Sequence, residues 1–492
     1  MNEDKHIPKR IIVIGGGITG LAATNKLLEL STSLPDNVKL EILLLEASNK
    51  LGGVIQTINE QDCLVECGPD SFITQKPWAI ELCQRLEIAD NIIQTNQNHR
   101  CTFVAFNGKL HPLPDGFMMM APTKWRPFIN SSLFTPLGKL RMAMDLILPK
   151  GSKEVDESLA DFVIRRFGRE ALERVAQPMI GGIYTADPRR LSLRATMPRF
   201  MDLEEKYGSV IKGMMHEKAI HTGNGTESGV RYSMFVTLDK GMQLLVDSLI
   251  KKIPANSIRC NTSVLRIESI TQESNCKPSW NIISKAGETF PADAVLITTP
   301  SYAIADLMAK IDPLLSAELK RIEYASSVVI NLIYNKTDIP VPINGFGFVV
   351  PASEPHSIIA CSFSSVKFPQ RAPKGKVLLR VFMGGALKPG INNLTDNELL
   401  QLARKDLAAL LKISDKPLFS LITRWTHSMP QYHIGHLNLL KQIDAKLANL
   451  PGLALAGNAY HGVGIPDCIY SGEQAAEAAL ANFMLQHYAL PA

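Results

Sequence analysis

The chain has 492 residues, a length that suits two or three domains. Hydrophobic residues make up 46% and charged residues 20% of it, the composition of an ordinary soluble globular protein. The net charge of +5 is too weak to favour a nucleic-acid partner, although it suits an anionic substrate or an anionic membrane surface. The chain has no long apolar run and no signal-peptide layout, so we expect a cytoplasmic protein, with peripheral membrane attachment left open.

The first motif, IIVIGGGITG at Ile11–Gly20, predicts a strand, a glycine turn and the start of a helix. Four consecutive apolar residues before the glycines are typical of a strand buried in a parallel sheet. In such a turn Gly15 makes the tight bend, Gly17 lets the backbone approach a pyrophosphate, and Gly20 lets the helix pack close to the sheet. We therefore predict a dinucleotide whose phosphates lie at the helix N-terminus.

A second strand, KLEILLLE, ends in Glu46, where a carboxylate can accept hydrogen bonds from a ribose diol. The spacing from Gly20 to Glu46 is somewhat long, and the polar loop STSLPDN accounts for the excess. A second glycine pair, Gly52 and Gly53, follows the acid directly. The order of strand, turn, helix, strand and acid favours dinucleotide binding over a glycine-rich turn without a ligand.

Residues 87–177 are expected to form a helical region, because two long stretches there have helical spacing. Its beginning is rich in proline, methionine and aromatic residues. These side chains could cap an apolar ligand pocket, touch a bilayer surface or simply pack in a core, and the sequence leaves the three alternatives open. They are Met118, Met119, Met120, Trp125 and Phe128.

The rest of the chain alternates strands with a few helices. Residues 238–253 predict a helix after a glycine turn, and residues 301–430 contain several β-rich runs. The pair His433 and His436 in YHIGH could suggest a metal site, but no second ligand pair with zinc-like spacing exists, so we predict no metal.

The last segment, GLALAGNAYHGVGIPDCIYSGEQAAEAAL, repeats the pattern of strand, glycine turn and helix. Pro466 and Asp467 suit the first turn of that helix, whose free N–H groups can face a developing anion. Two glycine turns on one cofactor imply a cofactor domain made from both ends of the chain. The substrate region is then inserted between them.

Eight stretches in order resemble the HemY-type porphyrinogen oxidases of haem synthesis, within the flavin amine oxidase-like superfamily. They are GGGITGLAA, LLEASNKLGGVIQT, GPDSF, GKLHPLP, GKLRMAMD, GGIYTADPRRLS, TRWTHSMPQYHIGH and GVGIPDC. The resemblance implies an α/β and α+β fold with a Rossmann-like FAD domain of the glutathione-reductase type, a mixed-sheet substrate domain and an inserted helical domain. The expected FAD domain comprises residues 1–55, 232–300 and 431–492; the substrate domain comprises 56–86, 178–231 and 301–430; and the helical domain comprises 87–177.

The same resemblance implies an FAD enzyme that uses O₂ to oxidise coproporphyrinogen III or protoporphyrinogen IX by six electrons. It assigns no certain catalytic residue. It places three residues against the substrate: Lys76, Gly182 and Phe363. It assigns to the cofactor Gly15, Gly17, Ile18, Thr19, Gly20, Glu46, Gly52, Gly53, Gly68, Val264, Gly457, Gly464, Ile465 and Pro466.

The choice of porphyrinogen stays open. Eukaryotic protoporphyrinogen-type members carry an arginine where this chain has Thr102, and this departure slightly favours coproporphyrinogen. The helical domain attaches some members of the family to membranes, and neither such attachment nor a homo-oligomer follows from the sequence.

Two other functions remain as alternatives. A flavin amine oxidase or a carotenoid desaturase shares both glycine turns, but amine oxidases usually carry a basic residue where this chain has Val54. A binding protein like the GDP-dissociation inhibitors keeps the first glycine motif without using a flavin. The complete GVGIPDC turn and Glu46 favour a true cofactor site.

Overall fold

The computed structural model describes residues 9–35, 40–118, 120–152, 154–223, 233–270 and 279–487. Two large sheets of different construction organise the molecule, one entirely parallel and one mixed. The predicted combination of α/β and α+β construction is confirmed.

The parallel sheet has five strands, and both of its faces are covered. In spatial order the strands are Ile258–Arg259, Leu40–Leu45, Lys9–Ile14, Ala294–Ile297 and Leu453–Leu455. Ile11 and Val13 point to one face, where helices Ile18–Ser31, Gln243–Lys252 and Ile465–His487 pack. Ile12 and Ile14 point to the other face, towards an antiparallel sheet and three further helices. These elements are strands Val264–Ile270, Ser279–Ser284 and Thr289–Ala292 and helices Ser301–Met308, Pro313–Lys320 and His436–Leu447.

The mixed sheet has seven strands, and helix Asp396–Leu411 packs on one of its faces. In spatial order the strands are Phe419–Pro430, Tyr324–Asn335, Lys376–Gly384, Ile358–Phe363, Gly347–Val349, Thr102–Phe106 and Lys109–Pro112. Smaller strands connect the two large sheets. They are Thr57–Glu60 with Cys63–Glu66, and Phe72–Ile73 with Phe235–Leu238 and Ile92–Gln94.

The helical region differs from the predicted 87–177 at both ends. The hairpin of Thr102–Phe106 and Lys109–Pro112 belongs to the mixed sheet, because Thr102–Phe106 pairs in parallel with Gly347–Val349. Helices from Leu193 to Gly223 share the core of the helical region instead of joining a substrate sheet. Its helices are Trp125–Asn130, Pro136–Ala143, Leu159–Phe167, Gln177–Tyr184, Leu193–Thr196, Pro198–Tyr207 and Val210–Gly223. Apolar burial thus continues past residue 177, where the sequence predicts a boundary, and the division into domains stays a prediction.

The proline- and methionine-rich stretch at the beginning of that region is mostly core. Met120 and Phe128 are each 1% exposed and pack with the other apolar side chains of the helices, with Trp125 partly buried against them. Met119 lies outside the described residues. For Met120 and Phe128, ordinary packing is the alternative that the structure selects.

The chain from Arg169 to Tyr184 is helical, but Leu172–Ala176 widens into a π turn. Pro178 explains the widening, since its ring would clash with the carbonyl of Arg174 in a regular helix. The helix ends at Thr185, which has a left-handed φ of 51°.

Among the described residues, no helix is long and apolar enough to cross a bilayer.

Candidate active site

The first glycine turn leaves open space in front of a helix N-terminus. The Gly15 N–H donates to the Leu45 carbonyl at 2.8 Å, with a φ of 109° that side chains rarely adopt. A Cβ on Gly20 would lie 1.8 Å from the Gly15 carbonyl oxygen, so only glycine lets the helix pack there. A Cβ on Gly17 would meet nothing within 4 Å. The space at Gly17 fits a phosphate that approaches the backbone at the start of the Ile18–Ser31 helix, beside Thr19.

The Glu46 carboxylate closes this turn from the second strand. Its Oε2 accepts the Gly16 N–H at 2.6 Å and its Oε1 accepts the Ser48 N–H at 2.8 Å. Each carboxylate oxygen can accept a further hydrogen bond, so ribose hydroxyls can still be bound. The backbone of Glu46 also accepts the Thr262 N–H at 2.8 Å, which brings the start of the Val264–Ile270 strand to the same end of the sheet. The predicted cofactor contact of Val264 stays a prediction.

The second glycine pair packs directly on the first turn. The Gly52 N–H donates to the Gly16 carbonyl at 2.8 Å, and a Cβ on Gly53 would lie 3.2 Å from Gly17 Cα. Gly68 is required by close packing as well, because a Cβ there would lie 1.7 Å from the Val54 carbonyl oxygen.

The C-terminal glycine turn meets the first one across the two terminal helices. A Cβ on Gly472 would lie 2.3 Å from the Thr19 carbonyl oxygen, so helices from the two ends of the chain cross closely. Gly457, with a φ of 129°, lies beside Thr19 and Thr298. Gly464 precedes Ile465 and Pro466, which begin the last helix. Both chain ends thus contribute a helix N-terminus to one region.

Two threonines of this region carried no prediction, although their strand exit, ITTP, is visible in the sequence. The Thr298 hydroxyl donates to the Ile14 carbonyl at 2.9 Å or to the Gly15 carbonyl at 3.0 Å. The Thr299 hydroxyl is buried without a partner among the described residues, and its methyl group faces Gly15. An unpartnered buried hydroxyl beside open backbone fits a polar dinucleotide.

Lys76 lies at the mouth of the C-terminal turn. Its ammonium is paired with Asp467, in the first turn of the last helix, at 2.5 Å. The Lys76 side chain is 42% exposed, whereas that of Asp467 is only 12% exposed. Burial, with a smaller contribution from Asp467, raises the pKa of Tyr184 to about 12. Tyr184 is the last residue of the Gln177–Tyr184 helix, so that helix, Lys76 and the glycine turn converge.

Gly182 is exposed on the same helix and faces the mixed sheet. A Cβ on it would have only a Val349 methyl group, at 4.0 Å, within contact distance. An apolar cleft lies between this helix and the sheet. It is lined by Gln177, Pro178, Gly181, Thr185, Ala186, Val350, Ile359, Gly384 and Leu387. The predicted substrate contact of Gly182 stays a prediction with open space beside it.

Phe363 faces away from this cleft, and its predicted substrate contact stays a prediction. It is 1% exposed and packs edge-to-face on Phe348, with ring centroids 5.9 Å apart, on the side of helix Asp396–Leu411. A β-bulge between Ile358 and Ala360 shifts the alternation of the strand. Ala360 therefore joins the core of the helical region, and Phe363 points into the opposite core.

The chemistry of the side chains points to binding rather than to acid–base catalysis. No group of three or more His, Cys, Asp or Glu side chains that could hold a metal ion occurs in the described part of the chain. Burial raises the pKa of Cys468, the cysteine beside Asp467, to about 12, so its thiol stays protonated at neutral pH. The site can bind a dinucleotide through backbone groups and an anion through Lys76.

Comparison with known proteins identifies similar chains. The profile of the family described as flavin containing amine oxidoreductase matches residues 18–480. A coproporphyrinogen III oxidase of Bacillus subtilis is 36% identical over 96% of this chain and 98% of its own length. A coproporphyrinogen III oxidase of Staphylococcus aureus is 34% identical over 96% of this chain and 99% of its own.

Solved structures extend the similarity. The structure of a candidate protoporphyrinogen oxidase from Exiguobacterium sp. 255-15 has a TM-score of 0.82 and a sequence identity of 29% to this chain. The match covers 96% of this chain and 98% of the other chain. Reduced UDP-galactopyranose mutase, at 17% identity and a TM-score of 0.68 over 96% of each chain, shares the fold alone.

Proposed function

Because this chain belongs to the flavin-containing amine oxidoreductase family, we propose that it is an FAD-dependent oxidase of haem biosynthesis that converts a porphyrinogen into a porphyrin. The observation that carries the proposal is the identity of 31–36% over 96% of the chain to three proteins named coproporphyrinogen III oxidase. The plant proteins named protoporphyrinogen oxidase are less similar, at 26–27% identity. Coproporphyrinogen III is therefore the preferred substrate in this proposal.

The bound flavin supplies the redox chemistry: three two-electron rounds remove six electrons and six protons from the macrocycle and reduce three O₂ to three H₂O₂. The protein holds the cofactor through the glycine turns at Gly15–Gly20 and Gly457–Pro466, and Glu46 holds the ribose. The electron-rich substrate requires no strong general base. The contribution of the protein is therefore to orient the macrocycle beside the flavin and to keep the two in contact.

In this proposal the substrate lies in the space beside Gly182, where the Gln177–Tyr184 helix faces the mixed sheet, and reaches Lys76 at the C-terminal glycine turn. Gly182 leaves room for the flat macrocycle, since it has no side chain on the open face. Lys76 binds a propionate, because it is the half-exposed cation at this mouth and a carboxylate is already its partner. A propionate would share Lys76 with Asp467 or displace that carboxylate.

The test is an aerobic fluorescence assay of the purified yellow protein with coproporphyrinogen III and protoporphyrinogen IX side by side. We expect coproporphyrin to form faster. Faster oxidation of protoporphyrinogen would reverse the substrate preference and make the threonine at position 102 irrelevant to it. Oxidation of neither by the FAD-loaded protein would overturn the porphyrinogen proposal and favour an amine oxidase.

We further propose that the helical region attaches to an anionic bilayer. Its outer face exposes a stripe of apolar side chains spaced three to four residues apart, two on the helix Pro136–Ala143 and two in the short 3-10 turn and its cap that follow. They are Leu137, Leu140, Met144 and Ile147, which are 78%, 64%, 38% and 81% exposed, with Ile129 beside them at 59%. Arg126 is exposed next to the stripe, and Lys139 donates to the Ile129 carbonyl at 2.6 Å. Apolar residues flanked by cations suit an anionic membrane surface.

Cosedimentation with vesicles of phosphatidylglycerol and phosphatidylcholine tests this attachment. We expect the wild-type protein to pellet with the anionic vesicles and the L137Q/I147Q variant to remain in the supernatant. If neither pellets and the wild type instead dimerises in a way that the variant abolishes, the stripe is an interface between two copies and the membrane proposal is wrong.

A further inference from the structure

The segment YHIGH, considered above for a metal, lies beneath the C-terminal glycine turn. Tyr432 is 1% exposed. Its hydroxyl donates to the Asn458 carbonyl at 2.5 Å and accepts the Gly462 N–H at 2.9 Å. One side chain therefore joins both ends of the Asn458–Gly462 loop, which leads directly into Gly464.

His436 holds the middle of the same loop. Its ring stacks on that of Tyr432, with centroids 4.1 Å apart and planes inclined by 11°. Its Nε2 lies 2.9 Å from the Tyr460 carbonyl oxygen, and since a carbonyl only accepts, this nitrogen carries the hydrogen. Burial is the main cause that lowers the pKa of His436 to about 4, so the ring is neutral at pH 7.

The charged and titratable groups around His436 do not reverse this state. Nearby His461 and His433 lower its pKa further, whereas Asp156 and the bond to Tyr460 raise it. The neutral imidazole therefore acts as an aromatic ring and a single N–H donor, and neither function needs a metal ion.

The backbone around Tyr432 is fixed by other parts of the molecule. The Ser192 N–H donates to the Tyr432 carbonyl at 2.8 Å, and the Ile434 N–H donates to the Arg190 carbonyl at 2.9 Å. The Gly435 N–H donates to the Asp156 carboxylate at 2.7 Å. Tyr432 follows two residues after the strand of the mixed sheet that ends at Pro430, and His436 begins the next helix, His436–Leu447. The helical region and the mixed sheet thus meet the loop at this point.

We infer that Tyr432 and His436 form a clamp that positions the Asn458–Gly462 loop against the flavin. The two are positioning residues: they set the place of the backbone that leads into the last helix, whose N–H groups face the cofactor. The inference rests on the proposed flavoenzyme function only in requiring that FAD binds at this turn. The clamp also connects the helical region and the mixed sheet to this loop.

The experiment compares Y432F with Y334F in the FAD-bound protein. Both changes remove one buried hydroxyl, and Tyr334, also 1% exposed, lies in the core of the mixed sheet with helix Asp396–Leu411. Flavin release on heating is followed by the fluorescence of free FAD, and global unfolding by far-ultraviolet circular dichroism. The visible absorption spectrum of the bound flavin is recorded without substrate.

For Y432F we expect flavin release about 5 °C below global unfolding and an altered visible spectrum, because two hydrogen bonds to the loop are lost. For Y334F we expect both transitions to shift together and the spectrum to match the wild type. If Y432F releases its flavin together with unfolding and keeps the wild-type spectrum, the clamp does not position the cofactor.

A second variant keeps the inference testable if Y432F does not fold. H436F retains a ring on Tyr432 but loses the N–H bond to the Tyr460 carbonyl, and we expect a smaller separation of the same two transitions. Coincident transitions and an unchanged spectrum in H436F would also overturn the inference. These measurements use no substrate, so an inactive wild-type protein that still binds FAD would refute the proposed reaction without affecting this test.

Discussion

The parallel sheet and the mixed sheet support the two halves of the site by different means. At the end of the parallel sheet the contacts are backbone to backbone, as between Gly52 and Gly16, and side chains are absent where the cofactor must approach. Behind the mixed sheet, Arg371 is paired with Glu66 at 3.0 Å, and both side chains are almost fully buried. The site at the parallel sheet is therefore shaped by glycines that have no side chain. The structure behind the mixed sheet is shaped instead by the charge and orientation of its buried side chains.

Buried charges of the mixed sheet also contact the segment that contains Gly68. Arg380 donates to the Gly68 carbonyl and also faces Asp70. Burial opposes ionisation of Asp70, yet Lys367 and Arg380 hold the pKa of that carboxyl below its usual range. Arg380 thus holds one side of the GPDS turn, and the Val54 carbonyl packs against Gly68 on the other side.

Two glycine substitutions in the first glycine turn should distinguish loss of flavin binding from loss of folding. They are expected to have the largest effects of all the variants. G17V should fold and lose its flavin completely, because a Cβ at this position has no protein atom within 4 Å and the added side chain fills the space proposed for a phosphate. G20V should fail to fold, because its Cβ would overlap the Gly15 carbonyl. The ratio of flavin to protein absorbance and circular dichroism measure the two effects. A folded G17V protein with normal flavin content would remove Gly17 from the phosphate site.

A substitution in the core between the mixed sheet and helix Asp396–Leu411 should lower the stability of the protein and leave substrate binding nearly unchanged. F363A should lower the free energy of unfolding by about 3–5 kcal/mol, since it empties a fully buried aromatic site. The KM for the porphyrinogen should stay within about twofold of the wild type. Urea denaturation and steady-state kinetics provide the two measurements. A large rise in KM with little loss of stability would return Phe363 to the substrate pocket.

The same comparison explains what could be predicted from the sequence. Gly15, Gly17 and Glu46 follow one another locally, and the order of strand, turn and helix is sufficient to predict their geometry. The face of the sheet to which Phe363 points could not be predicted, because no feature of the sequence indicates the β-bulge that moves its side chain to the opposite face.

Distant partners limited the remaining predictions. Thr102–Phe106 pairs with Gly347–Val349, which is remote in the chain, so the hairpin was assigned to the helical region. The hydroxyl partners of Tyr432 also come from a separate loop, so the YHIGH motif by itself does not indicate this contact.

His436 should make the stability of the protein depend on pH. Its pKa of about 4 in the folded protein is below the ordinary 6.5. Between these two pH values the unfolded chain therefore binds a proton at this imidazole, whereas the folded chain does not. Stability from this group is complete above pH 6.5 and is lost as the pH falls towards 4. Between pH 7.5 and 5.0 we expect a loss of about 2 kcal/mol in urea denaturation. The H436F variant should lack this part of the loss, and an identical pH dependence in the two proteins would contradict the assignment.

Lys76 should give the smallest effect, because its ion pair with Asp467 is partly exposed and screened by solvent. K76A should raise the KM for the porphyrinogen about three- to tenfold and leave kcat nearly unchanged, since the proposed bond to a propionate would be equally strong in the ground state and the transition state. Lys26 provides a matched control: it is paired with Glu477 on the same last helix at 2.9 Å, away from the glycine turn. K26A should change neither constant. Equal kinetics in K76A and K26A would mean that Lys76 serves only to neutralise Asp467, and that the propionate is bound elsewhere along the cleft beside Gly182.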